Sequence, residues 1–278
     1  MFKIVKLERV VPNVHLMEVE APEVAEQMQP GQFVIVRCAE GGERIPLSVA
    51  DWDRKAGTVT LVFLEVGVST GKLARLKAGD SIPTLAGPLG NPTVIASKGQ
   101  VLCVAGCYGI GSMFPIVRAL HEAGGAEVTV VLEARAGFLL YWEDRMKALA
   151  NRVFTITRDG SSGQRGHVTS VPEMLRQTGI TPSQVIVNGC TFLMSQTSKT
   201  LGGLGVPVTV SLNPIMIDGT GMCGVCRVSV GGKMKFACVD GPDFDGREVD
   251  WTELLARRKQ YMDEEAYLCH RASSARGV

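Results

Sequence analysis

Asp218, Cys223, Cys226 and Cys238 stand in the order D-x4-C-x2-C-x11-C, inside the segment Asp218-Gly-Thr-Gly-Met-Cys223-Gly-Val-Cys226 and the stretch that follows it. This is the strongest constraint in the chain. Plant-type [2Fe–2S] sites use C-x4-C-x2-C with a distant fourth cysteine, and here aspartate takes the first slot. Glycines at 219, 221 and 224 let such a loop wrap tightly, with backbone N–H groups turned toward the sulfurs. A carboxylate carries the same formal charge as a thiolate but is the harder ligand, so it alters a cluster's potential without altering its net charge. Two other readings stay open. Cys-x-x-Cys is equally a zinc knuckle, although a second close pair or histidine is missing and Cys269-His270 lies far down the tail. Alternatively, Cys223 and Cys226 are simply buried.

The other five cysteines, Cys38, Cys103, Cys107, Cys190 and Cys269, are scattered. No uninterrupted apolar run opens the sequence, so no signal peptide is expected, and no stretch approaches the roughly 20 apolar residues that cross a bilayer. Reduced thiols in a cytoplasmic protein follow from that reading. Lys+Arg 29 against Asp+Glu 28 leaves a net charge of +1, which excludes a global field for nucleic acid or an anionic membrane. Glycine is 32 of 278 residues and aromatics only 6%. That balance suits tight turns and backbone held against ligands.

Along the chain the pattern changes twice. Phe2–Val11, His15–Glu20, Gln32–Arg37 and Thr58–Glu65 read as short strands punctuated by Pro12-Asn13, Pro30-Gly31, Gly41-Gly42 and Gly57, which predicts an antiparallel barrel over 1–98. Gly87–Pro92 reads as an irregular connector. Over 99–210, strands at Val101–Ala105, Glu127–Leu132, Val153–Thr157 and Val185–Val187 alternate with helices at Met113–Glu122, Trp142–Ala150, Pro172–Gln177 and Phe192–Leu201, which predicts a parallel sheet covered on both faces. Residues 211–278 form a small cysteine module. Its tail helix is announced by the capping box Asp250-x-x-Glu253 and runs on through Leu254, Leu255, Arg258 and Tyr261. The expected fold is thus β-barrel, parallel α/β domain, then a C-terminal [2Fe–2S] module.

Two further segments carry nucleotide-binding chemistry. Strand Val101–Ala105 runs into Gly106-Cys-Tyr-Gly109-Ile-Gly111 and then a helix, so that backbone can approach a pyrophosphate at a helix N-terminus. In the barrel, Arg44-Ile-Pro46-Leu47-Ser48 leaves a strand and Val66-Gly67-Val68-Ser69-Thr70 follows another. Together they offer a cation, hydroxyls and close backbone to a planar phosphate-bearing cofactor.

In this order, R-x-P-L-S and V-G-x-S-T, a glycine turn, then a ferredoxin-spaced loop, the chain resembles the ferredoxin–NADP reductase superfamily. It resembles most the electron-transfer subunits of dihydroorotate dehydrogenase B and, more closely, the small subunits of NADH-dependent reduced ferredoxin:NADP oxidoreductases of the sulfide dehydrogenase beta type. Ser211–Cys223 and Lys235–Asp245 carry the closer likeness; those subunits also use aspartate as a cluster ligand. The resemblance implies that Arg44 pairs with the FAD pyrophosphate, that Pro46, Leu47 and Ser48 lie by the flavin, and that Gly67, Val68, Ser69 and Thr70 cradle phosphate. It implies that Gly106, Gly109 and Gly111 face a nicotinamide nucleotide, with Glu133, Arg135, Asp159-Gly160, Asn188, Gly189 and Cys190 lining the pocket, NAD(H) being favoured over NADP(H). Arg135 and Arg158 are the residues able to meet a 2′-phosphate. Asp218, Cys223, Cys226 and Cys238 hold the cluster. The usual G-G-G-x-G-x-A-P is here Ala105-Gly-Cys-Tyr-Gly-Ile-Gly-Ser112, and C-G-P is Asn188-Gly-Cys190.

The implied activity is that of a cytoplasmic flavin/iron–sulfur oxidoreductase subunit. It passes electrons between NAD(P)H, FAD and the cluster to or from a larger flavin/iron–sulfur partner, with ferredoxin reached through that partner and no side-chain acid or base required. The alternatives are an electron-transfer subunit of dihydroorotate dehydrogenase or sulfide dehydrogenase, and a zinc-stabilised module without redox function.

Overall fold

The computed structural model describes residues 1–264, 266 and 267. Cys269, His270 and the end of the tail lie outside them.

The first part of the chain forms β1 (Phe2–Val11), β2 (Val14–Glu20), α1 (Pro22–Gln27), β3 (Phe33–Arg37), β4 (Arg44–Asp53), β5 (Thr58–Leu64), α2 (Val68–Leu73), β6 (Ser81–Ile82) and β7 (Thr84–Leu89). The strands make an antiparallel sheet ordered β6-β1-β2-β5-β4-β3-β7. Its two outermost strands are consecutive in sequence with only Pro83 between them, so the sheet must curl into a barrel. Alternation sends Val34, Val36, Leu47, Val49, Leu61 and Phe63 into the barrel core.

The rest comprises β8 (Gly99–Gly106), α3 (Gly109–Ala123), β9 (Ala126–Ala134), α4 (Glu143–Lys147), β10 (Arg152–Thr157), β11 (Gln164–Arg165), α5 (Val171–Thr178), β12 (Gln184–Asn188), α6 (Thr191–Leu201), β13 (Val208–Ser211), β14 (Arg227–Val230), β15 (Lys233–Phe236), β16 (Asp243–Asp245) and α7 (Trp251–Arg258). The second sheet runs β11-β10-β9-β8-β12-β13-β16. After β8 the chain steps outward through β9 and β10, then returns to the other side of β8 with β12. The order therefore reverses between β8 and β12, where open α/β sheets take their ligands.

The structure corrects several expectations. Arg44–Ser48 opens β4 instead of leaving a strand, and Gly87–Leu89 ends β7 instead of belonging to a connector. The second sheet is mixed, because β16, from the cysteine module, pairs antiparallel with β13. Helix α4 is shorter than Trp142–Ala150, since Trp142 is left-handed (φ 56°). Helix α7 ends at Arg258, short of Tyr261. Helices α1 and α2, six residues each, go unannounced, being too short to show a period.

Helix α3 packs between the sheets, where Ile110, Met113, Phe114 and Val117 share one core with Val14, Leu16 and Val62 of the barrel. The junction is locked by Asp51 on β4, whose carboxylate accepts from Arg118 on α3 and from Arg145 on α4 (2.5 Å). Arg118 lies over Trp52 at 4.6 Å and Arg145 over Phe114 at 3.8 Å. On the far face, Leu212, Val228, Val249, Trp251 and Leu254 join the core of α5 and α6, so the cysteine module is continuous with the α/β layer. Among the described residues no helix is long and apolar enough to cross a membrane.

Candidate functional site

The Asp218–Cys238 loop is built two and two. The Asp218 carboxylate accepts the backbone N–H of Thr220 (2.7 Å) and of Cys223 (3.0 Å), and also the Cys223 thiol. These donors, that of Thr220 first, hold its carboxyl below the usual range and keep it an anion. Across the loop, the sulfurs of Cys226 and Cys238 lie 3.2 Å apart. Both cysteines are 2% exposed. Burial, then the Cys226 sulfur, pushes the Cys238 thiol up to about 12, while the Gly221 N–H points at it and opposes that rise. Two thiolates on one tetrahedral metal, with metal–sulfur bonds of roughly 2.3 Å, stand about 3.8 Å apart. The pair is therefore closed slightly beyond that spacing and has to open only a little to take a metal. Gly219, Gly221 and Gly224 all have positive φ. A Cβ on Gly219 would stand 2.8 Å from Leu89 and 2.9 Å from Ile35. The loop is thus pressed onto β3 and β7, where Cys226, Cys238 and Ala237 pack with Phe33 and Ile35.

That contact places the loop beside the flavin candidates. Register pairs Arg37 with Arg44, Ile35 with Pro46 and Phe33 with Ser48. Arg44, Pro46 and Ser48 therefore share the outward face of the barrel with the residues that carry the cysteine loop, one strand spacing of about 4.8 Å away. Leu47 points the other way, into the barrel core. Glu43, just before β4, accepts the Ser69 hydroxyl at 2.7 Å, which fastens the start of α2 against the start of β4. Thr70 is committed locally: its hydroxyl accepts the N–H of Val66 (3.1 Å) and Gly67 (3.0 Å). The N–H groups of Val68, Ser69 and Thr70, in the first turn, have no partner inside the helix. A Cβ on Gly67 would meet nothing within 4 Å. This is an open cradle of amides beside an exposed arginine, chemically suited to a pyrophosphate.

At the β8/β12 switch point the glycines have another explanation. A Cβ on Gly106 would stand 2.9 Å from the Glu133 carbonyl oxygen, on Gly109 2.3 Å from that of Asn188, and on Gly111 2.8 Å from Val62. All three positions are filled by protein, and the Gly111 N–H is taken by the Tyr141 hydroxyl (2.9 Å). Around them lie Asn188, Gly189 and Cys190, the last capping α6 with its sulfur. The Asn188 side-chain nitrogen donates to Ser112 (3.1 Å), while its oxygen is buried without a partner. Ser112 itself donates to the Gly109 carbonyl (3.2 Å), which fixes the orientation of that amide. An amide acceptor left open at a switch point suits a carboxamide-bearing ligand. Glu133, 6% exposed at the end of β9, accepts from Arg158 (3.2 Å) and faces His167 (3.6 Å). Burial holds the imidazole below its usual range. Arg135 is exposed, and Asp159 binds the Ser161 hydroxyl (2.7 Å) and N–H (3.0 Å) in a surface turn.

Sequence reasoning missed Glu43 at the barrel site, and Tyr108, His167, Asn213 and the exposed ring of Phe192 at this crevice. Glu43 and Tyr108 adjoin motif residues, and adjacency was the only signal they offered.

Residues 213–250 match the iron–sulfur cluster binding domain of dihydroorotate dehydrogenase B. The electron-transfer subunit homolog of dihydroorotate dehydrogenase B (NAD(+)) from Thermotoga maritima is 44% identical over 264 residues, covering 95% of this chain and 92% of the relative. The corresponding subunit from Desulforamulus reducens is 34% identical over 264 residues, covering 90% and 97%. A structure of NADH-dependent reduced ferredoxin-NADP oxidoreductase, described for flavin-based electron bifurcation, superposes with a TM-score of 0.91 at 42% identity, covering 98% of this chain and 97% of that one. The barrel and mixed sheet have the ferredoxin reductase-like arrangement. The chain belongs to the dihydroorotate dehydrogenase B electron-transfer subunit family.

Proposed function

We propose that this chain is the electron-transfer subunit of an NAD(P)H-dependent oxidoreductase, with FAD on the barrel, a [2Fe–2S] cluster in the 218–238 loop and a larger partner subunit. The observation that carries the reading is that the outward face of β4 and the donor loop meet across the single strand β3. FAD held on this face would supply two-electron exchange with NAD(P)H and one-electron exchange with a cluster in the loop.

The protein's part is to bind and orient. Arg44 and the first-turn amides of α2 meet the pyrophosphate, and Ser48 and the Pro46 backbone lie along the flavin edge. Leu47 serves from the core side by fixing the strand. Glu43 holds the Ser69 loop in place. Asp218 and Cys223 form one ligand pair, Cys226 and Cys238 the other. This division suits two irons with two protein ligands each, whereas zinc gathers all four ligands around one ion. Asn188 receives the nicotinamide end of the dinucleotide. Glu133 supports NAD(H) over NADP(H), because its buried carboxylate opposes a 2′-phosphate and already engages Arg158. Gly106, Gly109 and Gly111 serve by letting the two turns close on each other, with Gly189 and Cys190 at the crevice floor and Arg135 and Asp159 at its rim. The division into 1–98, 99–210 and 211–278 follows these three ligand sites. Met222, beside Cys223, is 89% exposed, with Ile217 and Val239 exposed nearby; this apolar collar suits a partner subunit that receives electrons at the cluster and leads on to ferredoxin. Within this family, a ferredoxin:NAD(P) transhydrogenase is favoured over a dihydroorotate dehydrogenase subunit by aspartate at position 218.

Anaerobically prepared protein is expected to show flavin absorption, iron with acid-labile sulfide, and reduction of both centres by NADH. Zinc in place of iron, or a colourless protein, overturns the reading. Gly67→Ala gives a local test. With φ −141° and open space, the substitution costs only the small loss of alanine for glycine at a helix N-cap, a few degrees of melting temperature at most, yet it places a methyl in the cradle and lowers FAD affinity by about 10-fold. Undiminished FAD binding in that variant removes Gly67 from the site.

A further inference from the structure

Helix α7 ends in two arginines that reach different sites. Arg257 donates to the Val225 carbonyl (3.0 Å), the peptide between Cys223 and Cys226. Arg258 donates to the Asn213 backbone and side-chain oxygens, both at 2.7 Å, and to the Tyr108 hydroxyl. Asn213 in turn donates to Tyr108 and to the Gly189 carbonyl (3.1 Å), and accepts from Thr191 (2.9 Å). Tyr108 closes the knot on Gly189 at 3.2 Å. Tyr108 lies in the β8–α3 turn and Gly189 in the β12–α6 turn, so this knot is the floor of the nucleotide crevice.

The helix between is held firmly. Asp250 caps it through the Glu253 N–H (2.9 Å), the Trp251 indole donates to Gly246 (2.9 Å), and Trp251 and Leu254 are buried in the shared core. A helix so fixed does not let adjacent arginines move independently.

We propose that α7 couples the two sites, with Arg257 and Arg258 as positioning residues that make nucleotide affinity depend on the electron count of the 218–238 loop. The inference rests on the function proposed above. An added electron strengthens the pull of the loop on the Arg257 guanidinium. A small displacement of α7 then alters the hold of Arg258 on Asn213 and Tyr108. Because coupling between binding equilibria is reciprocal, nucleotide must shift the cluster potential by the same factor as cluster reduction shifts nucleotide affinity.

The test is an EPR-monitored redox titration of the cluster in the full chain, with and without the redox-inert 1,4,5,6-tetrahydro-NAD or its NADP counterpart, binding being followed by flavin difference absorbance. In the unsubstituted protein, saturating analogue shifts the midpoint by the equivalent of roughly 10-fold in affinity. Arg257→Ala and Arg258→Ala abolish that shift while keeping their iron and FAD, and Arg258→Lys restores part of it. A shift that survives in both alanine variants overturns the coupling, as does its absence in the unsubstituted protein when the analogue binds. If the unsubstituted protein lacks iron or binds neither analogue, the functional reading fails first and takes this inference with it.

Discussion

Cys226→Ala is expected to empty the donor loop of iron while leaving FAD bound and the chain folded. Cys226 is one of two sulfurs already 3.2 Å apart, so its loss leaves Cys238 alone on its side of the loop. Removing an outer-shell partner of a metal ligand costs roughly 10–100-fold in metal affinity, and removing a ligand costs more. The structural penalty is modest, because Cys226 packs as a small hydrophobe against Phe33, Ile35 and Ala237 and alanine vacates only the sulfur. Iron analysis, EPR and the flavin spectrum on one preparation separate these effects. Two companion variants sharpen the result. Cys190→Ala is expected to keep all its iron, since that sulfur caps α6 at the nucleotide crevice. Asp218→Cys is expected to keep the cluster with a shifted potential, a soft thiolate replacing a hard carboxylate of equal charge. Unchanged iron in Cys226→Ala removes Cys226 from the ligand set.

The donor loop was legible because its chemistry lies in one short contiguous segment, where spacing alone constrains what the side chains can hold. The alternation of strands and helices after Gly99 was legible for a related reason: its main elements, β8, α3, β9 and α6, are long enough to show their period. The start of β4 was not. Pro46 sits inside a strand with neighbours on both sides, and a proline that cannot donate to the ladder reads as a breaker. The antiparallel β16 was hidden because its three residues acquire strand character only by pairing with β13, more than thirty positions earlier. The roles of Glu43, Asn213 and Arg257 exist only once Ser69, Tyr108 and Val225 have been brought to them by the fold. The glycine turn is the most instructive case. Its pattern was visible, but a sequence does not say whether a missing side chain makes room for ligand or for protein.

Gly109→Ala decides that question. The added methyl has to stand 2.3 Å from the Asn188 carbonyl oxygen, 2.4 Å from its carbon and 2.5 Å from the Gly189 Cα. These are backbone atoms at the end of β12, a strand paired on both sides with β8 and β13, and no rotamer can relieve the clash. The two turns must separate, which breaks the Tyr108 contact to Gly189 and uncovers the core beneath Ile110 and Met113. The expected cost is about 3 kcal/mol or more, a fall of roughly 10 °C in melting temperature for a chain of this size. The loss is expected with no nucleotide present, which distinguishes it from removal of a ligand contact. The opposite result, full thermal stability with weakened dinucleotide binding, would show that the turn opens toward ligand and that Gly109 faces the nucleotide after all. Gly67→Ala is the internal control: both substitutions add one methyl, but at position 67 nothing lies within 4 Å to receive it.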